Sequence, residues 1–267
     1  MRVQVNVLGP LEVSVGGAPV APVASKPSRL LALLALNAGH VVSSAALIEE
    51  LWDSRPPPSE VLTLRTYVLT LRRMLQPRLA DAHGASRKDV LVTRRSGYLL
   101  ETNPDEVDAN RYDRLSAAGH RAVNAGDAET AARTLGEALR LWRGPVCSGV
   151  STGPQLAIEA MRLEETRLGD LYLRIEADLR LGRHHQVLGE LATLCARHPL
   201  LEDFCAQHMV ALCRCGRPGQ ALAAFQRLRA NLVEQLGVEP AAAVCRLHHD
   251  ILTGHLTTVD TKLALAG

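Results

Sequence analysis

The chain has 267 residues, 47% of them hydrophobic and 22% charged, which is apolar enough for packed cores and excludes a wholly disordered chain. At ~100 to 200 residues per domain it has room for one large domain or two modest ones, and its longest apolar run, residues 30–36, falls far short of the ~20 residues of a membrane-spanning helix. The formal net charge is +2, but residues 1–104 carry 12 Lys+Arg against 8 Asp+Glu and the remainder 18 against 20, so the basic excess lies in the first part of the chain.

Residues 3–8 and 11–15 alternate apolar and polar around Gly9-Pro10, and Gly16-Gly17 leads to another extended stretch near Val20. This predicts a small antiparallel sheet. With no long apolar block or small-residue cleavage site, the same stretch is not a secretory leader, and the expected compartment is the cytoplasm. From Ser25 the spacing turns helical. Ser28 is placed to cap a helix carrying Leu30, Leu31, Leu33, Leu34 and Leu36, which stops at Asn37-Ala38-Gly39. Val41-Val42 reads as an extended link, Ser43 or Ser44 as the cap of a second helix with Leu47, Ile48, Leu51 and Trp52, and Pro56-Pro57-Pro58 as its stop.

Ser59-Glu60 opens a third helix that reaches Gln76-Pro77, with Leu64, Val68, Leu71 and Leu75 recurring at helical spacing as its core stripe. At about 100° per residue, Thr66, Thr70 and Arg73 point away from that stripe. Arg65 and Arg72 lie on one flank and Thr63 and Tyr67 on the other. A polar loop over residues 81–89 precedes Val90-Leu91-Val92-Thr93 and Tyr98-Leu99-Leu100-Glu101, two strands joined by Arg94-Arg95-Ser96-Gly97. A leading sheet, three helices and a basic hairpin come in the order of a winged helix-turn-helix. A helix fits the major groove, where Thr and Arg reach base edges, and arginines on a protruding hairpin reach phosphates or the neighbouring minor groove.

Several of these blocks carry a family resemblance. Thr63-Leu64-Arg65-Thr66-Tyr67-Val68, Leu71-Arg72-Arg73-Met74-Leu75 and Arg95-Ser96-Gly97-Tyr98 resemble the recognition helix and wing of the Streptomyces antibiotic regulatory proteins. Their DNA-binding domain is OmpR-like, a fold shared with two-component phosphorelay regulators. Leu31-Ala32-Leu33-Leu34-Ala35-Leu36-Asn37-Ala38-Gly39, Val41-Val42-Ser43, Leu47-Ile48, Leu51-Trp52 and Pro56-Pro57 follow the family's order and spacing, so the resemblance spans most of residues 1–102. It implies that Thr63, Arg65, Thr66, Tyr67, Thr70, Arg72 and Arg73 form the DNA-facing side of the recognition helix and Arg94 and Arg95 the wing. Leu62 and Leu69 depart from the family's usual polar residues, and either suits a thymine methyl.

From Asp105 onward the pattern is helical throughout. Gly182-Arg183 with Gln186-Val187-Leu188 recurs 34 residues later as Gly216-Arg217 with Gln220-Ala221-Leu222, the tetratricopeptide period. A looser copy at Gly126-Asp127-Ala128 implies an insertion containing Arg143-Gly144-Pro145 and the turn at residues 149–154. Stacked helical hairpins of this kind bind proteins or small ligands, pack against the first half, or pair two subunits. Leu141-Trp142-Arg143-Gly144-Pro145 and Leu236-Gly237-Val238-Glu239-Pro240 resemble the family's bacterial transcriptional activation domain. That implies a homodimer on double-stranded promoter DNA and contacts to RNA polymerase holoenzyme, its sigma factor and other subunits.

The expected architecture is mainly α with a small β component. A winged helix-turn-helix spans residues 1–104, an all-α tetratricopeptide-like domain 105–255, and a tail 256–267. No G-x-x-x-x-G-K-[ST] motif occurs, so the chain resembles the family's short members without an ATPase module. Six cysteines, including Cys205, Cys213 and Cys215 near His208, form no C-x-x-C pair and read as helix residues rather than metal ligands. The pairs His184-His185 and His248-His249 read as exposed polar faces. No nucleophile elbow, phosphate loop or paired carboxylates point to an enzyme, no cofactor is expected, and eight aromatic residues are too few for a single-strand stacking platform. The expected function is sequence-specific promoter activation, for an antibiotic or other secondary-metabolite gene cluster. The alternative is a tetratricopeptide-type protein or ligand adaptor whose winged domain contacts protein.

Overall fold

The computed structural model describes residues 3–20, 25–75 and 90–255. The expected polar loop at 81–89 and the tail at 256–267 lie outside the described residues. The chain divides into two compact units, one of Met1–Ala117 with Glu137–Leu168 and the other of Ala118–Gly136 with Gly169–Gly267.

The first unit opens with an antiparallel meander of β1 (Val3–Asn6), β2 (Glu12–Val15) and β3 (Ala18–Val20). Val3 pairs with Val15 and Val5 with Val13, and all four are buried. A one-residue slip would turn that valine face to water. Helix α1 (Ser25–Leu36) follows, with Leu30, Leu31, Leu33 and Leu34 all buried, as befits a central helix. It begins earlier than the sequence suggested: Ser28 lies inside the helix and is buried, so it is no cap. Pro27 sits in the first turn, where a missing N–H sacrifices no intrahelical bond.

Val41 and Val42 belong to a strand rather than a link. Strand β4 (Val41–Ser43) pairs with β6 (Gly97–Leu100), which pairs in turn with β5 (Leu91–Arg94). Gly97 makes that order possible, because a Cβ there would collide with the Val42 carbonyl oxygen and come within 2.8 Å of Ser43 Cα. Ser43 also caps α2 (Ser44–Trp52), its Oγ accepting the Ala46 N–H at 3.1 Å. Helix α3 (Glu60–Leu75) packs through Leu64, Val68, Leu71 and Leu75, all at most 2% exposed. Each such side chain contributes about 2 kcal/mol of burial free energy.

Polar ties between distant stretches of chain close this unit. Asp108, at the start of α4 (Asp108–Asn124), accepts the amides of Val7 at 2.7 Å and Leu8 at 3.0 Å. Burial pushes its carboxyl up, while those amides and Arg143 oppose the shift. The Arg143 N–H donates to Leu8 O at 2.7 Å and the Cys147 N–H to Val7 O at 2.8 Å. The stretch around Arg143-Gly144-Pro145, expected as an insertion in the helical half, therefore packs in the first unit with the leading sheet. Trp142 meets Tyr112 edge-on at 5.5 Å and carries the Arg167 guanidinium 4.5 Å over its ring. Buried Glu50 of α2 accepts the amides of Gly153 and Leu156 at 2.6 and 3.0 Å, neutralising the N-terminus of α6 (Pro154–Arg180).

The second unit is built from helices, with α5 (Ala128–Leu139), α7 (His184–Arg197), α8 (Glu202–Arg214), α9 (Pro218–Leu236) and α10 (Ala242–Thr253) completing the set. Its turns at Gly126, Gly182 and Gly216 share one geometry, with φ of +76°, +76° and +72°. In each, the next residue's N–H reaches back five positions, to the carbonyls of Ala122, Asp178 and Leu212, at 2.9–3.0 Å. This is the glycine-closed helix end that leaves few carbonyls unpaired. The core gathers Met209, Ala221, Phe225, Leu228, Leu232, Val244 and Leu247. His184 and His248 are half-buried rather than exposed; His248 stacks on Phe225 at 3.9 Å, and burial lowers the pKa of both.

Candidate nucleic-acid interface

With its stripe of Leu and Val turned into the core, α3 presents Leu62, Arg65, Thr66, Leu69 and Arg73 on the opposite, exposed side. Leu62 is 66% and Leu69 50% exposed. Both leucines face away from the core of the unit. Val61, 48% exposed, extends the apolar strip at the helix start. It was not singled out in the sequence, because one valine beside a core stripe carries no distinctive spacing.

The three threonines use their hydroxyl protons internally. Thr63 Oγ1 donates to Ser59 O at 3.0 Å, Thr66 to Leu62 O at 3.1 Å and Thr70 to Thr66 O at 3.0 Å. Each hydroxyl, with its proton committed to the preceding turn, offers a partner only acceptor lone pairs and a methyl group. The face is therefore less of a hydrogen-bond donor than the composition of α3 suggests.

The two adjacent arginines have different neighbours. Arg73 is exposed. Arg72 Nε donates to Leu91 O at 3.0 Å and Nη2 to Thr93 Oγ1 at 2.8 Å, which fastens the recognition helix to wing strand β5. Arg72 thus sets the angle between helix and wing. No local spacing ties residue 72 to residue 93, so this role was not visible in the sequence. Tyr67 is half-buried, its ring stacked against Trp52 at 6.3 Å, and Lys26 Nζ lies 4.9 Å from the centre of the Trp52 ring. The ring braces α3 against α2.

The wing turn has two residues, since Arg94 pairs with Gly97. Arg94 and Arg95 are both exposed at its tip, and the Ser96 carbonyl accepts the Ser44 N–H at 3.0 Å, anchoring the turn to the start of α2. The structure thus gathers Thr63, Arg65, Thr66, Thr70 and Arg73 on α3, and Arg94 and Arg95 on the wing of the same unit. Tyr67 and Arg72 serve at least in part as braces.

A leading meander, a helix-turn-helix with a free recognition face and a three-stranded wing sheet, followed by helical hairpins, define a transcriptional regulator with an OmpR-type winged domain. The profile of transcriptional regulatory protein C-terminal domains matches residues 20–100, and that of the bacterial transcriptional activator domain residues 107–252. The regulatory protein DnrI of Streptomyces peucetius is 47% identical over 249 residues, covering 93% of this chain and 92% of its own. The transcriptional regulator RedD of Streptomyces coelicolor is 37% identical, covering 94% and 70%. A solved structure of Mycobacterium tuberculosis EmbR in complex with a low-affinity phosphopeptide superposes with a TM-score of 0.85 at 31% identity; the match covers 95% of this chain and 65% of that one. The chain belongs to the Streptomyces antibiotic regulatory protein family of transcriptional activators.

Proposed function

We propose that the protein activates transcription of a secondary-metabolite, antibiotic-type gene cluster by binding direct repeats in its promoters as a head-to-tail homodimer and recruiting RNA polymerase holoenzyme through sigma and other subunits. In this reading residues 1–104 bind DNA and residues 105–255 form a tetratricopeptide-like activation domain. The protein then acts at the nucleoid in the cytoplasm. Among the described residues no helix is long and apolar enough to cross a membrane.

The observation that carries the reading is the free face of α3, with exposed Leu62, Arg65, Thr66, Leu69 and Arg73, in one compact unit with a two-arginine wing tip. Arg65, Arg73, Arg94 and Arg95 hold phosphates and fix the register, while Thr66, Thr70, Leu62 and Leu69 read base edges. A helix in the major groove meets the same face of the duplex every ~10.5 base pairs, so two subunits in the same orientation require direct repeats at about that spacing.

Footprinting of the full chain on promoters beside its own gene tests this reading. Protection of direct repeats about one helical turn apart, abolished by inserting five base pairs between them, is the expected result. Protection that ignores the insertion would refute the head-to-tail dimer. Absence of any footprint, with a protein or small ligand retained by the helical hairpins, would favour the adaptor reading.

A further inference from the structure

The second unit holds a cluster that promoter binding does not use. Cys195, near the end of α7, and Cys205 and His208, in α8, line a cavity of about 300 Å³ that Arg227 of α9 also borders. Cys195 Sγ lies 3.9 Å from His208 Nδ1. Both thiols line that one cavity, and Cys205 Sγ is 3.7 Å from Ala224 O. Of these lining residues Cys195 is half-buried, while Cys205 and His208 are buried. A cavity that admits a small solute to one accessible sulfur, with an imidazole beside it and a second sulfur in the same lining, is the arrangement of a reactive thiol with a resolving partner.

We infer that Cys195 and Cys205 form a modification site for small peroxides, in which Cys195 is the attacking thiolate and Cys205 the resolving thiol. The Cys195 thiolate attacks one peroxide oxygen. An S–O bond forms as the O–O bond breaks, the sulfur gives up two electrons, and the other oxygen leaves as hydroxide or alkoxide. Cys205 sulfur then attacks the Cys195 sulfenic acid, forming the S–S bond and breaking S–O; the departing hydroxide takes the Cys205 proton and leaves as water. With hydrogen peroxide the sum is two thiols and one peroxide giving one disulfide and two waters. The disulfide ties α7 to the first turns of α8 across the loop at residues 198–201.

The electrostatics support the assignment of roles. The neighbouring Cys205 thiol lowers the Cys195 thiol below the usual thiol range, helped by His208 and the charge of Arg227, with burial opposing. The Cys205 thiol is pushed well up by Cys195 and by burial, with Glu202 adding to the shift and Arg227 opposing it. His198 completes the titratable lining of the cavity. Buried Cys147, whose thiol is pushed up to about 12, is an unreactive control within the same chain.

The test is alkylation and oxidation of the full chain, followed by peptide mass spectrometry. At pH 6 a thiol held below the ordinary range carries more thiolate than a free cysteine peptide. Its lower nucleophilicity cancels part of that, leaving a reaction with iodoacetamide faster by up to about tenfold. Equimolar hydrogen peroxide is expected to remove about 2 Da from the chain and cross-link the peptides carrying Cys195 and Cys205. Cys205→Ser should stop at a dimedone-trappable sulfenic acid on Cys195. Arg227→Gln, on an exposed residue, should slow alkylation of Cys195 without disturbing the fold. Alkylation of Cys195 no faster than the free peptide at pH 6, or peroxide oxidation that bypasses Cys195, would overturn the proposal.

Discussion

In the first unit the residues that fix the recognition helix and its surroundings lie far apart in the chain. Arg72 is tied to Leu91 and Thr93, Glu50 to Gly153 and Leu156, and Asp108 to Val7 and Leu8. In the second unit the turns at Gly126, Gly182 and Gly216 close on themselves through bonds spanning five residues. One region depends on a few long-range polar ties, the other on a local device used three times. Removing a buried long-range tie should therefore be severe in the first, and changing one turn modest in the second, and the following measurements test that contrast.

The largest loss is expected at Glu50. Replacing this fully buried carboxylate by Ala strands the Gly153 and Leu156 amides and leaves Arg29 without its counter-charge. That costs about 3 kcal/mol or more, seen as a lower denaturation midpoint. Glu50→Gln keeps one acceptor and should fall between. Next comes the pair of adjacent arginines. Arg72→Ala should lower stability by about 1 kcal/mol, because its two bonds to β5 are partly exposed, and should weaken every duplex by loosening the wing. Arg73→Ala should leave thermal stability unchanged and reduce the slope of log affinity against log salt by about 1. If the two variants behave alike in both assays, the division into brace and phosphate contact is wrong.

In the second unit every expected effect is far below that of Glu50→Ala. Gly182→Ala and Gly216→Ala each force a side chain into the left-handed region, which costs about 1 kcal/mol, and the two values should agree. A cost of several kcal/mol at either would mean that the repeat is not made of equivalent turns. The smallest effect is expected at Asp127, whose Oδ1 accepts the Thr130 N–H at 3.0 Å. That bond holds its carboxyl below the usual range. A depressed carboxyl contributes stability above its unfolded pKa of about 3.9 and loses it as pH falls through the folded value. Asp127→Asn keeps a cap and should match the parent chain at pH 6 while losing less thermal stability between pH 5 and 3.

The same contrast governs how much could be read from the sequence. Helix α3 was legible because Leu64, Val68, Leu71 and Leu75 repeat at helical spacing, and the hairpin turns because Gly182 and Gly216 repeat at 34 residues. The β5–β6 hairpin announced itself through short apolar, strand-forming runs on either side of the polar Arg94-Arg95-Ser96-Gly97. Periodicity is a local signal, however, and it fails where partners are distant. Val41 and Val42 passed for a link because the strand they pair with lies more than fifty residues on. Arg143 passed for part of an insertion in the helical half because its partners, Leu8 and Asp108, share no pattern with it. At the candidate interface, residue types were legible but allegiance was not. Arg72 and Arg73 look alike in the sequence, and only the Thr93 hydroxyl and Leu91 carbonyl distinguish them.

The central claim, that the free face of α3 and the wing tip read promoter DNA, is tested most directly by fluorescence anisotropy. The full chain would be titrated against a duplex carrying direct repeats from a promoter beside its own gene and against a scrambled duplex of the same composition, from 50 to 300 mM salt. Binding to the repeats that is ~1,000-fold tighter, steeply salt-dependent, and reduced in slope on both duplexes by Arg73→Ala is the predicted result. Equal, weak binding to the two duplexes, unchanged by Arg73→Ala, would contradict it.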